Sequence, residues 1–421
     1  MLGRLRRLTR RAQSLYFETG SLREPLAYVR QAVFVKSSLV ARHLWDVQNS
    51  LLPWRLAAER RRLAAQRAKG RLVIAVTAAG GLGDMITIAR CLRDLAKETE
   101  AFAFDIFAAS PDLTQWVFAA VPGFGRAYPD TLERFSTRNY DLHLHINQTV
   151  IAAPETIRWD RLRHTPLMLQ AVRRLIRLSR QPSLEPYILH HPRLDNGLAR
   201  KAIYAGRSRQ DFLHRMLGIS YSDDALAIEA DHEALRRFGL VGRDFITVHN
   251  GFDPNFIVSG QRATKCYPHF DAVITKLKAA RPELLIVQLG TSTSEPIAAA
   301  DLILIGRTNL AEAAGLLRKT QLHLDNEGGL VHLAACYGRR SLVVFGPTPS
   351  DYFGYPANIN VDPLRCGGCW WIEESWMDRC PRGMKQPECM FAQPPDKILT
   401  LALKALSEPR PQLEFSSQNN L

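Results

Sequence analysis

The chain has 421 residues, 46% of them hydrophobic and 23% charged, which is globular composition at a length suited to two or three domains and excludes a fibrous or disordered protein. The formal net charge is +14, but residues 1–70 hold 15 Lys/Arg against 4 acids, so +11 sits there and +3 on the other 351 residues; a near-neutral body argues against nucleic acid as its partner. No apolar run reaches the roughly 18–20 residues that span a bilayer, and no apolar core with a small-residue cleavage site marks a secretory signal, so a cytoplasmic protein is expected.

Residues 1–70 read as a basic helical extension of two or three helices broken near Gly20 and Pro53. Its Arg residues and its aromatics (Tyr16, Phe17, Tyr28, Phe34, Trp45 and Trp54) suit peripheral contact with an anionic membrane surface such as the inner membrane, each basic residue contributing on the order of 1 kcal/mol. A flank packed on the body with a solvated charged face fits equally well.

Strand and helix alternate from Arg71 onward. Leu72–Thr77 is apolar and β-branched like a strand buried on both faces. A glycine turn, Gly80-Gly81-Leu82-Gly83-Asp84, follows, and then a helix with apolar residues at Met85, Ile88, Leu92 and Leu95. Phe102–Phe107 and Asp141–Ile146 are further strands, and Leu167–Ser179 is a basic amphipathic helix. A second cycle follows the polar stretch 221–243, with strands at Phe245–His249, Leu284–Leu289, Leu322–Leu324 and Ser341–Phe345. Its helices are Phe270–Ala280, Leu310–Arg318 and Leu330–Tyr337. This rhythm predicts an α/β protein of two Rossmann-like, doubly wound domains facing a cleft. The expected boundaries are 1–70 for the extension, 71–240 for the first Rossmann-like domain, 241–408 for the second and 409–421 for a tail. The last helix, Asp396–Leu406, is expected to pack back on the first domain.

Three turns carry candidate chemistry. Gly81 and Gly83 allow backbone to approach a ligand at a helix start, where free N–H groups favour anions. Asp84, at the carboxyl end of the first strand, suits either catalysis or helix capping. His249-Asn250-Gly251 ends the second domain's first strand, and Lys265 beyond it offers a flexible cation for phosphate or a plain surface charge. Asp325 to Ala335 places an acidic glycine turn (Glu327, Gly328, Gly329) before a helix containing His332. That turn can hold a diphosphate and ribose hydroxyls, while His332 alone fits a core histidine as well as a ligand.

Together these blocks resemble glycosyltransferase family 9, the group of the ADP-heptose:lipopolysaccharide heptosyltransferases. Leu72–Met85 is similar to its opening strand and Gly-Asp loop, and Lys265-Cys266-Tyr267-Pro268 to Lys-x-Trp-Pro with Tyr for Trp. Gly306–Ala311 resembles the turn before the signature. Asn326–Ala335 with Phe345-Gly346-Pro347-Thr348 is similar to the signature itself, with Glu327 where Asp is commoner. The resemblance covers about 71–406. It implies a GT-B fold and an inverting transfer with no catalytic metal, from a nucleotide-sugar donor such as ADP-heptose to a lipopolysaccharide core or similar acceptor. It makes Asp84 the general base, assigns Lys265 to the donor phosphates, and gives the Glu327–Gly329 turn, His332 and Thr348 to the donor half.

Cys366, Cys369, Cys380 and Cys389 have the spacing of a four-thiolate structural site inserted late in the chain, with zinc as the default ion and iron equally suited to the ligand set. Some protein-modifying heptosyltransferases of this family carry a comparable cluster, so protein O-heptosylation is the alternative within the family. A sugar-nucleotide epimerase is another enzyme reading. A non-catalytic membrane- or nucleic-acid-binding protein with a zinc element is the reading outside enzymes.

Overall fold

The structure, a computed structural model, describes residues 57–181 and 197–408. The chain divides into two units, residues 1–65 and 66–421. Within the first, residues 57–65 are helical; the basic, aromatic stretch before them and the expected tail lie outside the described residues. Among the described residues, no helix is long and apolar enough to cross a membrane.

The second unit contains two sheets. In the first, strands β1 (Leu72–Ala78), β2 (Phe102–Ala108), β3 (Phe124–Pro129), β4 (Leu142–Ile146) and β5 (Val150–Ala152) lie in the order β3-β2-β1-β4-β5. All pair in parallel except β5, a short antiparallel edge. The connecting helices include α1 (Leu82–Glu98), α2 (Pro111–Phe118), α3 (Glu133–Ser136), α4 (Pro166–Ser179), α5 (Gly197–Tyr204) and α6 (Phe212–Leu217). The second sheet is parallel throughout, in the order β11-β10-β9-β6-β7-β8. Its strands are β6 (Phe245–Val248), β7 (Leu285–Gln288), β8 (Leu302–Ile303), β9 (His323–Asn326), β10 (Ser341–Val344) and β11 (Ile359–Val361). The main helices here are α7 (Phe270–Ala280), α8 (Leu310–Leu317), α9 (Gly329–Cys336), α10 (Ser350–Phe353) and α11 (Pro395–Ser407).

In each sheet the first strand has later strands on both sides, so the direction of winding reverses beside it. Crevices outside the carboxyl ends of such neighbours are where open α/β sheets bind ligands. The reversal falls between β1 and β4 in one sheet and between β6 and β9 in the other. These positions carry the turns containing Asp84 and Glu327.

One apolar core runs from the first sheet through α1 and α9 into the second half, joining Ile74, Val76 and Leu92 with Leu333, Val343 and Phe345. Each fully buried side chain of this kind contributes roughly 1.5–3 kcal/mol. A second core, on the far face of the second sheet, gathers Ile246, Val248, Phe270, Ile274, Ile398 and Ala402. The last helix therefore packs on α7 in the second half, not on the first domain as its position in the sequence suggested. Its buried Ile398 and Ala402 are four residues apart and match the apolar stripe of α7, Val273, Ile274 and Leu277.

Candidate active site

The glycine turn after β1 is shaped by the Asp84 carboxylate. Gly80 has φ +126°, and a Cβ there would collide with the Asp84 side chain. Asp84 is the third residue of α1 and its Oδ2 accepts the Gly81 N–H at 3.2 Å. It therefore does occupy a free donor at the helix start, but from within the first turn and not from the capping position. Its Oδ1 accepts from Arg209 Nη2 at 2.9 Å and from Gln148 Nε2 at 3.3 Å. The side chain stays 29% exposed, and a carboxylate with about four lone-pair sites retains one for an incoming hydroxyl.

Arg209 is buried and links the two halves. Its Nη2 also donates to the Asn147 carbonyl at 3.0 Å, and its backbone N–H donates to the Tyr352 carbonyl at 2.7 Å. Beside it, Gln210 Nε2 donates to the Phe353 carbonyl at 3.1 Å. No local pattern in the sequence marks Arg209 or Gln148; their contacts to Asp84 span 125 and 64 residues.

The start of α9 meets the start of α1 at glycines. A Cβ on Gly83 would lie 2.5 Å from His332 Cδ2, and one on Gly329 would lie 2.9 Å from Leu82 Cβ. The absence of side chains thus lets two helix N-termini come together, each with a positive dipole end. Such an arrangement favours anionic groups.

Behind this meeting point runs a polar chain. Arg90, fully buried, donates from Nη1 to the Tyr355 oxygen at 2.7 Å, so the Tyr355 O–H donates onward to His332 Nδ1 at 2.6 Å. The remaining proton of His332 is then on Nε2, 3.8 Å from Glu327 Oε1. Glu327 Oε2 accepts from Lys265 Nζ at 3.3 Å. Burial alone would raise the Glu327 carboxyl, but Lys265 and His332 outweigh it and bring its pKa down to about 2. Burial opposes the charge on Lys265 too, and Glu327 with its neighbours raises its pKa against that penalty. Lys265 uses one of its three donors on Glu327, which leaves two for phosphate oxygens.

His249 is held by the next strand. Its Nδ1–H donates to Asp325 Oδ1 at 2.7 Å, while His323 Nε2 lies 3.2 Å from Asp325 Oδ2. Asp325 is driven up by burial and down by His249 and His323, with a net lowering. The tautomer this imposes leaves His249 Nε2 as an acceptor on the Gly251 side, where a Cβ would come within 2.8 Å of it. A Cβ on Gly328 would meet only the Asn326 carbonyl and Asp325 Oδ2, each at 4.0 Å. Thr348 is buried beyond the end of β10, and among the described residues no hydrogen bond joins it to the Glu327 group.

Cys366, Cys369 and Cys380 lie on the loop after β11, Cys389 lies in the short helix Glu388–Phe391 that follows, and none of the four forms a disulfide. The thiols sense one another: burial first, then Cys366, Cys369 and Cys380, pushes Cys389 up to about 12, and burial with Cys380 pushes Cys369 up to about 11. A cation among them would relieve that mutual field, and four sulfurs suit a thiophilic ion. Yet among the described residues no three of these sulfurs lie within 4.8 Å of one another. Two thiolates on one tetrahedral ion sit about 3.8 Å apart, from bonds of about 2.3 Å. Four thiols suit such an ion as a donor set, while their spacing here is wider than one shared ion requires. The same loop braces the segment before Lys265: Thr264 donates its N–H to the Met377 carbonyl at 2.8 Å and its hydroxyl to the Trp376 carbonyl at 2.7 Å.

Comparison with known proteins gives a fold and a likeness to one family. No curated protein sequence matches the chain. Among solved structures, ADP-heptose lipopolysaccharide heptosyltransferase II of E. coli is similar over 80% of this chain and 98% of its own, at 16% identity and a TM-score of 0.50. The iron-containing dodecameric glycosyltransferase TibC of enterotoxigenic E. coli H10407 is similar over 80% and 76%, at 14% identity and 0.51. TibC in complex with ADP-D-beta-D-heptose gives 80% and 77%, 13% and 0.52. These likenesses establish the GT-B-like arrangement of two parallel-sheet halves. Residues 253–366 match the model of glycosyltransferase family 9 (heptosyltransferase), the family that the sequence motifs resemble.

Proposed function

We propose that the chain is an inverting heptosyltransferase that moves heptose from ADP-heptose to a hydroxyl of a lipopolysaccharide core. Residues 71–240 form the acceptor side and 241–408 the donor side. The observation that supports this best is the close approach of Gly83, next to Asp84, to His332, whose Nε2 lies 3.8 Å from the Lys265-paired Glu327.

In this mechanism the diphosphate lies on the N–H groups of the Glu327–Gly329 turn, with Lys265 Nζ on its oxygens. Gly81 and Gly83 keep the opposite wall low. Asp84 takes the proton of the acceptor hydroxyl as its oxygen bonds to the anomeric carbon from the face opposite the nucleotide. The bond to the diphosphate oxygen breaks in the same step, and the charge that gathers there meets Lys265 and the two helix ends. Arg209 and Gln148 hold Oδ1 of the base, leaving its exposed edge for the acceptor. Glu327 and His249 orient the nucleotide through its hydroxyl groups, and Thr348 supports the floor beside them. The four cysteines would hold a structural zinc or iron ion, which would stiffen the loop carrying the carbonyls bonded to Thr264.

The four-cysteine loop, together with likeness in fold to an iron-containing glycosyltransferase, also favours a second acceptor class: hydroxyls on a protein. A transfer assay with Asp84→Asn decides the central role. Loss of transfer with ADP-heptose binding retained supports it, and full transfer by the variant removes Asp84 from the chemistry.

A further inference from the structure

A second group of ligand-type side chains lies on the first sheet, outside the transfer site. Strand β4 alternates: Leu142, Leu144 and Ile146 enter the apolar core beside α1, so His143 and His145 project together from the other face. Their rings lie 4.2 Å apart between centroids, tilted by 44°. Glu133, from the short helix α3, reaches the same point, with its Oε1 3.8 Å from His143 Nε2. One ligand atom from each of the three residues lies within 4.8 Å of the other two, and this is the one group of its kind among the described residues.

Ordinary structural contacts do not account for the arrangement. Among the described residues the His145 ring and the Glu133 carboxylate have no hydrogen-bond partner, although both are half-buried. Thr77 Oγ1, on the neighbouring strand, lies 2.8 Å from His143 Nε2 and fixes that ring. Metal–nitrogen and metal–oxygen bonds of about 2.0–2.2 Å place two ligands on one ion at most about 4.2 Å apart. The 3.8 Å gap between Glu133 and His143 therefore already fits a shared ion, with the Thr77 hydroxyl turning aside.

We propose that Glu133, His143 and His145 bind one divalent transition-metal ion of the zinc or ferrous class. Two imidazoles and a carboxylate are its preferred donors. Three protein ligands leave a position open to water or an oxyanion. The site is distinct from the four cysteines, whose donor atoms are sulfur.

Metal counting on the full-length protein tests this. The protein is stripped with chelator, re-equilibrated with Zn2+, and assayed for bound metal as wild type, His145→Gln and Glu133→Gln. A parallel Co2+ series is read by absorption. Each variant is expected to hold one equivalent less than wild type. The wild-type-minus-variant Co2+ spectrum should show visible bands with no near-ultraviolet thiolate charge transfer. Equal metal content in wild type and variants overturns the proposal, and so does a difference spectrum dominated by thiolate bands. Should His145→Gln melt abnormally, Glu133→Gln decides, because that side chain is 28% exposed and outside the core.

Discussion

Gly83→Ala is the most informative small change, because it adds one methyl where the two halves meet. The new Cβ would stand 2.5 Å from His332 Cδ2, 3.0 Å from Nε2 and 3.3 Å from Cγ. Carbon atoms settle at about 3.5–4.0 Å, so the ring or α1 must move by about 1 Å. His332 cannot swing freely, since it is buried and its Nδ1 is bonded to Tyr355, itself bonded to Arg90. Overpacking of this kind costs about 1–3 kcal/mol. A shift of about 1 Å in a reacting group lowers rate by about 100-fold. Thermal melting and initial rates of ADP release are the assays. We expect a lower melting temperature and kcat/KM reduced by about 30- to 100-fold. In the double variant with His332→Ala the stability loss of Gly83→Ala should largely vanish, a coupling of about 1–3 kcal/mol between touching residues. Wild-type stability and kinetics in Gly83→Ala would refute the close contact from which the shared site is built.

Three further outcomes follow from the same geometry. Glu327 has its carboxyl lowered from 4.5 to about 2, so its stabilising effect is present above pH 4.5 and lost as pH falls toward 2; Glu327→Gln should be less stable than wild type at pH 7 by up to about 3 kcal/mol, with the gap closing over that window in acid-melting curves. Lys265→Met removes a charged donor from the diphosphate, and a loss of about 1.5–3 kcal/mol corresponds to roughly 10- to 150-fold weaker ADP-heptose binding by titration calorimetry; unchanged affinity would detach Lys265 from the donor. Cys389→Ser should lower the melting temperature and weaken donor binding together, since the cysteine loop holds Thr264 and thereby Lys265, whereas a drop in melting temperature alone would mean that the loop supports only itself.

The sequence reveals those parts of the site that are carried by local pattern. The run Leu72–Ala78 is apolar because β1 is buried on both faces, and glycines punctuate its end, so the Asp84 turn can be read directly. The turn before α9 is legible for the same reason, though β9 continues through Asp325 and Asn326 and makes the turn shorter than expected. Arg209, Gln148, Tyr355 and Arg90 carry no such signal. They are polar residues in unremarkable stretches, and they matter through partners 125, 64, 23 and 265 positions away. The edge strands β5 and β8, three and two residues long, are too short for periodicity to register. The His-Leu-His alternation in β4 was readable in principle, since residues two apart on a strand share a face; what could not be read was Glu133 arriving beside it. The packing of α11 on α7 likewise depends on which apolar stripe it matches, which chain order does not specify.

The most direct measurement is a crystal structure of the protein with ADP-heptose or ADP bound. The diphosphate should lie against the backbone N–H groups of residues 327–329, within hydrogen-bond reach of Lys265 Nζ, with Asp84 facing the sugar from the other side of the crevice. A nucleotide seated away from the junction of α1 and α9, or an Asp84 carboxylate turned from the anomeric carbon, would contradict the transfer mechanism.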